Sequence, residues 1–129
     1  MSTNFRKFLP GAVLVLSAAV PVVLAVEAAH QPTCDRGCLI EFTGAYLDAM
    51  LAHNPSALKV APGIKINQNA ERLWKTAKSI SSRQAFADPT TGEAAFFGDV
   101  IEANGNRTRL ALRLKINHHQ IDEIESQSE

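Results

Sequence analysis

Hydrophobic and polar positions change their spacing twice along the chain, and each change predicts a different kind of element. Residues 9–26 carry no charged side chain; Arg6 and Lys7 precede them and the small residues Ala28 and Ala29 follow. Basic, then apolar, then small is the order of a secretory signal peptide, so residues 1–28 are expected to leave on export, by cleavage after Ala25 or Ala28. An uncleaved anchor is the competing reading. Pro10, Gly11 and Pro21 speak against it, since a spanning helix gains nothing from them.

From about residue 36 the spacing is helical. Leu39, Phe42, Tyr46, Met50 and His53 recur at three- and four-residue steps, Asp35 is placed to cap the helix, and Asn54-Pro55 stops it. Pro55–Leu58 opens a short second helix that Ala61-Pro62-Gly63 ends, and Ile64–Asn67 alternates as a first short strand. Over residues 71–80, Leu73, Trp74, Ala77 and Ile80 fall on one helical side, with Glu71 and Lys75 at the favourable i, i+4 spacing.

After residue 81 the period becomes two. Gln84–Asp88 leads into the turn Pro89-Thr90-Thr91-Gly92, residues 93–103 are strand-rich around Phe96, Phe97, Val100 and Ile101, and Asn104-Gly105-Asn106 turns again. Thr108, Leu110, Leu112, Leu114 and Ile116 then alternate with Arg107, Arg109, Ala111, Arg113 and Lys115, the pattern of a half-buried strand. Residues 117–120 turn it back into a last strand over 121–126. Helices followed by at least four antiparallel strands predict an α+β fold, with N-terminal helices packed on one face of a curved antiparallel sheet.

Composition narrows the partners. The 129 residues hold 13 Lys+Arg against 13 Asp+Glu, 46% hydrophobic and 20% charged residues. Taking Arg6, Lys7 and Glu27 away with the signal leaves a net charge of −1, which offers nucleic acid no basic field. Residues 29–129 form a single domain of about 100 residues, enough for one apolar core. Its two cysteines, in Cys34-Asp35-Arg36-Gly37-Cys38, are expected to close a local disulfide in an oxidising compartment, with an intermolecular bridge as the alternative. Because i, i+4 in a continuous helix strains a disulfide, Cys34 should lie outside the helix. No metal site is expected: the histidines supply no second closely spaced ligand pair, and His118-His119 reads as a solvated turn.

Several short motifs then occur in order: H-N-P ending the long helix, the L-W helix, A-D-P-x-x-G, F-F-G, L-x-L-R-L-K and I-x-E-I-E. Together they resemble the nuclear-transport-factor-2-like, or SnoaL-like, superfamily, and more narrowly its small exported members of uncharacterised function. The likeness covers roughly residues 34–126 and implies a cystatin-like cone with a ligand cavity between sheet and helices. Residues 64–73 look shortened against that pattern, where a longer β-hairpin normally precedes the Trp-containing helix, and the resemblance leaves one wall of that cavity unaccounted for.

Polar residues on otherwise apolar faces are the candidates for chemistry. His53 shares the helix face of Tyr46 and Met50, where an imidazole can act as general base; the alternative is a histidine at the helix C-terminus bonded to a backbone carbonyl. Tyr46 either packs in the core or polarises a substrate carbonyl. Glu123 and Glu125 lie opposite Leu114 and Leu112 in one register, with raised pKa values, and opposite Lys115 and Arg113 in solvent if the register moves by one. Phe42, Met50, Trp74, Phe97 and Leu112 are expected to line the pocket. Asn106-Arg107-Thr108 is a glycosylation acceptor only in a eukaryotic host.

The leading expectation is thus an exported domain, periplasmic if bacterial, that binds a small apolar molecule without metal or organic cofactor and leaves the membrane after signal cleavage. A SnoaL-like isomerase, cyclase or hydratase using His53, Tyr46, Glu125 and Glu123 is the first alternative. The second is an oligomerisation module, a homodimer formed through an outer sheet face carrying Arg109, Arg113 and Lys115.

Overall fold

The computed structural model describes residues 33–129. The signal expected over residues 1–28 lies outside the described residues.

Asp35 adopts extended backbone and accepts a hydrogen bond from the Cys38 amide at 2.9 Å, which starts α1 (Arg36–Leu51). At the other end, the His53 amide donates to the Met50 carbonyl and the Asn54 amide to the Ala49 carbonyl. That pair of bonds is a Schellman stop, with His53 in the left-handed position at φ 56°. Pro55–Ala57 makes one 3-10 turn.

Five strands follow: β1 (Val60–Asn69), then, after α2 (Leu73–Thr76), β2 (Ala77–Asp88), β3 (Glu93–Glu102), β4 (Arg107–Asn117) and β5 (Gln120–Ser128). They form one sheet in the order β1-β5-β4-β3-β2. β2 to β5 make the expected antiparallel meander. β1 is longer than expected, running through Ala61-Pro62-Gly63, and pairs parallel with β5, which makes the sheet mixed. The helix expected over 71–80 shrinks to four residues. From Ala77 the chain pairs with β3 instead, because an edge strand can leave its many polar side chains in water.

Gly98 lets β3 curve against β2: a Cβ there would stand 2.1 Å from the Ser82 carbonyl oxygen and 2.5 Å from the Phe96 ring. α1 lies across the sheet's inner face. Leu39, Tyr46, Leu47 and Met50 meet Phe96, Val100, Leu110, Leu112, Leu114, Ile121 and Ile124 there, all at most 3% exposed. The alternation read along β4 holds throughout: Thr108, Leu110, Leu112, Leu114 and Ile116 are buried, and the residues between them are not. No helix among the described residues is long and apolar enough to cross a membrane.

Candidate functional site

Tyr46 sits at the centre of α1 and is 1% exposed. Its ring meets Trp74 edge-on, with centroids 5.2 Å apart at 74°. Ser126, paired with Leu112 across β4 and β5, faces the same interior and is 2% exposed. Burial raises the Tyr46 pKa, and the neighbouring Trp74 and Ser126 side chains hold that rise back. Ser126 Oγ lies close enough to the phenol to act on it, yet it makes no well-aligned hydrogen bond among the described residues. An unpaired buried hydroxyl costs roughly 1–3 kcal/mol, so such groups are uncommon in native interiors.

The expected pocket lining divides. Met50 and Leu112 are buried around Tyr46 and Ser126, and Phe42 and Trp74 are half-buried at the margin of the same core. Phe97 does not belong with them. It is 50% exposed on the outer face and stacks edge-on against Phe86 at 6.2 Å. Phe96 takes the inner position, because strand alternation sends neighbours to opposite faces.

His53 does not point inward. The helix ends at Leu51, so its spacing no longer governs residue 53, and the left-handed backbone swings the side chain outward, where it is exposed. Its Nδ1–H donates to the Trp74 carbonyl oxygen at 2.9 Å, the backbone bond weighed as the alternative, and this ties α1 to α2.

Glu123 and Glu125 also face outward. Ile116 pairs with Ile121 as expected, but a register shift follows immediately, so Lys115 meets Glu123 and Arg113 meets Glu125. One extra residue, Asp122, exchanges the two faces. Arg113 is 3.0 Å from Glu123, 3.4 Å from Glu125 and 2.6 Å from Glu93. Its hydrogen bond holds the Glu123 carboxyl below the usual range, opposite to the rise expected of an inward carboxylate.

Glu102, from sequence only a weak candidate because it sits at a strand end, is an acid on the inner face at the end of β3 and 3% exposed. Arg72 donates to both its oxygens, at 3.0 and 3.1 Å, Thr76 donates at 2.8 Å, and Thr108 donates to Oε2. These donors, the Arg72 guanidinium foremost, lower its pKa to about 2. Ionised and fully bonded, Glu102 is a structural anchor. Only its even position on β3, in step with Phe96 and Val100, marked it in the sequence.

Cys34 and Cys38 are joined in a disulfide, with Cys34 ahead of the helix as expected. Asn106 is exposed in the β3–β4 turn.

Helix on curved five-stranded sheet is the architecture of the cones that the ordered motifs resemble. Among solved structures, a protein from Kribbella flavida is 17% identical, with a TM-score of 0.56 over 70% of this chain and 85% of that one. A protein assigned as a polyketide cyclase from Sinorhizobium meliloti is 17% identical, with a TM-score of 0.49 over 67% and 94%. A designed nuclear-transport-factor-2-like protein is 15% identical, with a TM-score of 0.46 over 67% and 94%. No family model matches the sequence, and no curated protein does. At these identities the likeness is one of fold.

Proposed function

We propose that this cone-like domain is exported and binds a small, largely apolar molecule against Tyr46 and Ser126. The observation that carries the reading is the unpaired Ser126 hydroxyl beside a buried phenol, inside an otherwise apolar shell. A ligand with one hydrogen-bonding group would satisfy Ser126 while its apolar part packs against Met50, Leu112, Phe42 and Trp74. Binding there needs no metal or organic cofactor. The local disulfide agrees with an oxidising destination, as the signal-like N-terminal pattern does.

Binding is favoured over acid–base catalysis. His53, Glu123 and Glu125 lie away from Tyr46, and Glu102 is committed to Arg72, Thr76 and Thr108. Native mass spectrometry of protein purified gently from its host tests the proposal. A co-purifying small molecule, lost in Ser126→Val, supports it; wild type and variant carrying the same masses would oppose it.

A second reading, self-association through the outer face, has its own support. Phe86 and Phe97 are each half exposed there, beside a groove of about 320 Å³ that Ala111, Arg109 and Gln127 help to line. Three carboxylates surround Arg113 at one end of this face, and Arg107 and Arg109 flank Asp99 at the other. A second copy related by a two-fold axis would set unlike ends together. Sedimentation across a range of concentrations tests this: a dimer supports it, and a monomer throughout rejects it.

A further inference from the structure

The disulfide and the β4–β5 hairpin meet at one corner of the domain. Cys34 precedes the cap of α1 and Cys38 lies in its first turn, with Cα atoms 5.2 Å apart. His119 arrives from the other end of the chain. A ring nitrogen of His119 and the two Sγ atoms lie within 4.8 Å of one another. His119 is exposed and both cysteines are half-buried, so solvent reaches the group. The turn expected to stand apart in water thus brings a nitrogen donor to two sulfurs.

The hairpin fixes that donor. Asn117 pairs with Gln120, leaving His118 and His119 as a two-residue connection with φ of 52° and 57°. Asn-Gly fills such a left-handed pair with least strain, and other side chains pay roughly 1–2 kcal/mol per residue. His119 is therefore held by the ladder on both sides, not carried on a loose loop.

We propose that Cys34, Cys38 and His119 form a redox-gated site for a thiophilic divalent cation, with Zn²⁺ as the occupant. Two thiolates and one imidazole suit this ion, and three protein ligands leave a fourth tetrahedral position for water. While the sulfurs are bonded to each other neither is a thiolate, and the gate is shut. An external dithiol opens it by thiol–disulfide exchange: it gives up two electrons and two protons, becomes a disulfide itself, and leaves Cys34 and Cys38 as thiols. Zn²⁺ then binds as both thiols release their protons, while neutral His119 donates a ring lone pair. The domain keeps its fold when the gate opens, because a disulfide closing so short a loop contributes little stability.

The test uses the signal-free protein, with and without a phosphine reductant under nitrogen, titrated with Co²⁺ and then Zn²⁺ while far-ultraviolet circular dichroism follows the fold. Expected for the reduced, folded protein is one Co²⁺ per chain with thiolate-to-cobalt charge-transfer bands, displaced by Zn²⁺. The oxidised protein gives no such bands. His119→Ala weakens Zn²⁺ binding by about tenfold or more, and His118→Ala leaves it unchanged. A Cys34→Ser/Cys38→Ser variant shows whether the domain stands without the bridge. Equal binding by His119→Ala and wild type would overturn the site. So would equal binding by oxidised and reduced protein, no binding by the reduced protein, or binding that appears only as the circular dichroism of the fold is lost.

Discussion

Arg113 stands 3.0 Å from Glu123 on the outer face of the sheet, the side to which the register shift at Asp122 carries the acids of β5. The same guanidinium reaches Glu125 and Glu93. Glu123→Gln and Glu125→Gln are therefore expected to leave ligand binding unchanged. Their stability loss should be small and shrink in high salt, because the pairs are solvent-screened. Thermal melts at two salt concentrations and a binding titration check this.

Glu102 gives the opposite expectation, being buried and fully bonded. Its folded pKa of about 2 lies below the ordinary value of 4.5. The stability it contributes is complete above the ordinary carboxylate range and is lost as pH falls from there through about 2. Glu102→Ala should destabilise the fold near neutral pH and flatten this acid limb, since Thr76 and Thr108 lose their shared acceptor while Arg72 is already largely solvated. Urea unfolding between pH 6 and pH 2 measures both effects.

His53 separates backbone from side chain. His53→Ala removes the bond to the Trp74 carbonyl but keeps a Cβ at φ 56°, and should destabilise by about 1 kcal/mol. His53→Gly loses the same bond but relieves the left-handed backbone, so it should be the milder change. Neither should alter ligand binding. Chemical denaturation of the two variants side by side is the check.

If the outer face joins two copies, Phe86→Ser with Phe97→Ser should abolish concentration-dependent association. The folded monomer should remain, because both rings already face solvent in the single chain. Sedimentation of this double variant against wild type decides it.

The elements that could be read from sequence are those with a local cause. Asp35 and Asn54-Pro55 bound α1 as expected, and β4 alternates because one of its faces is buried and the other wet. The features that escaped have non-local causes. Residues 77–80 carry a helical spacing, yet pairing with β3 takes them. The inward aim of His53 failed because the helical projection ran two residues past the last helical one. Asp122 shifts a register that the hairpin itself starts correctly, which carries Glu123 and Glu125 outward. Ser126 and Tyr46 come together only through tertiary packing, since 80 residues of chain separate α1 from β5 at these positions. The parallel pairing of β1 with β5 joins segments too far apart in sequence for any spacing to foretell.

Trp74 is the chain's one tryptophan and packs edge-on against Tyr46, so its emission reports on the proposed binding position directly. The decisive measurement is titration of that emission with small apolar molecules carrying a single hydrogen-bonding group. A saturable change is expected in wild type for at least one such molecule, weakened about tenfold in Ser126→Ala. Across such a panel, no saturable change in the folded protein, or equal affinity in Ser126→Ala, would contradict it.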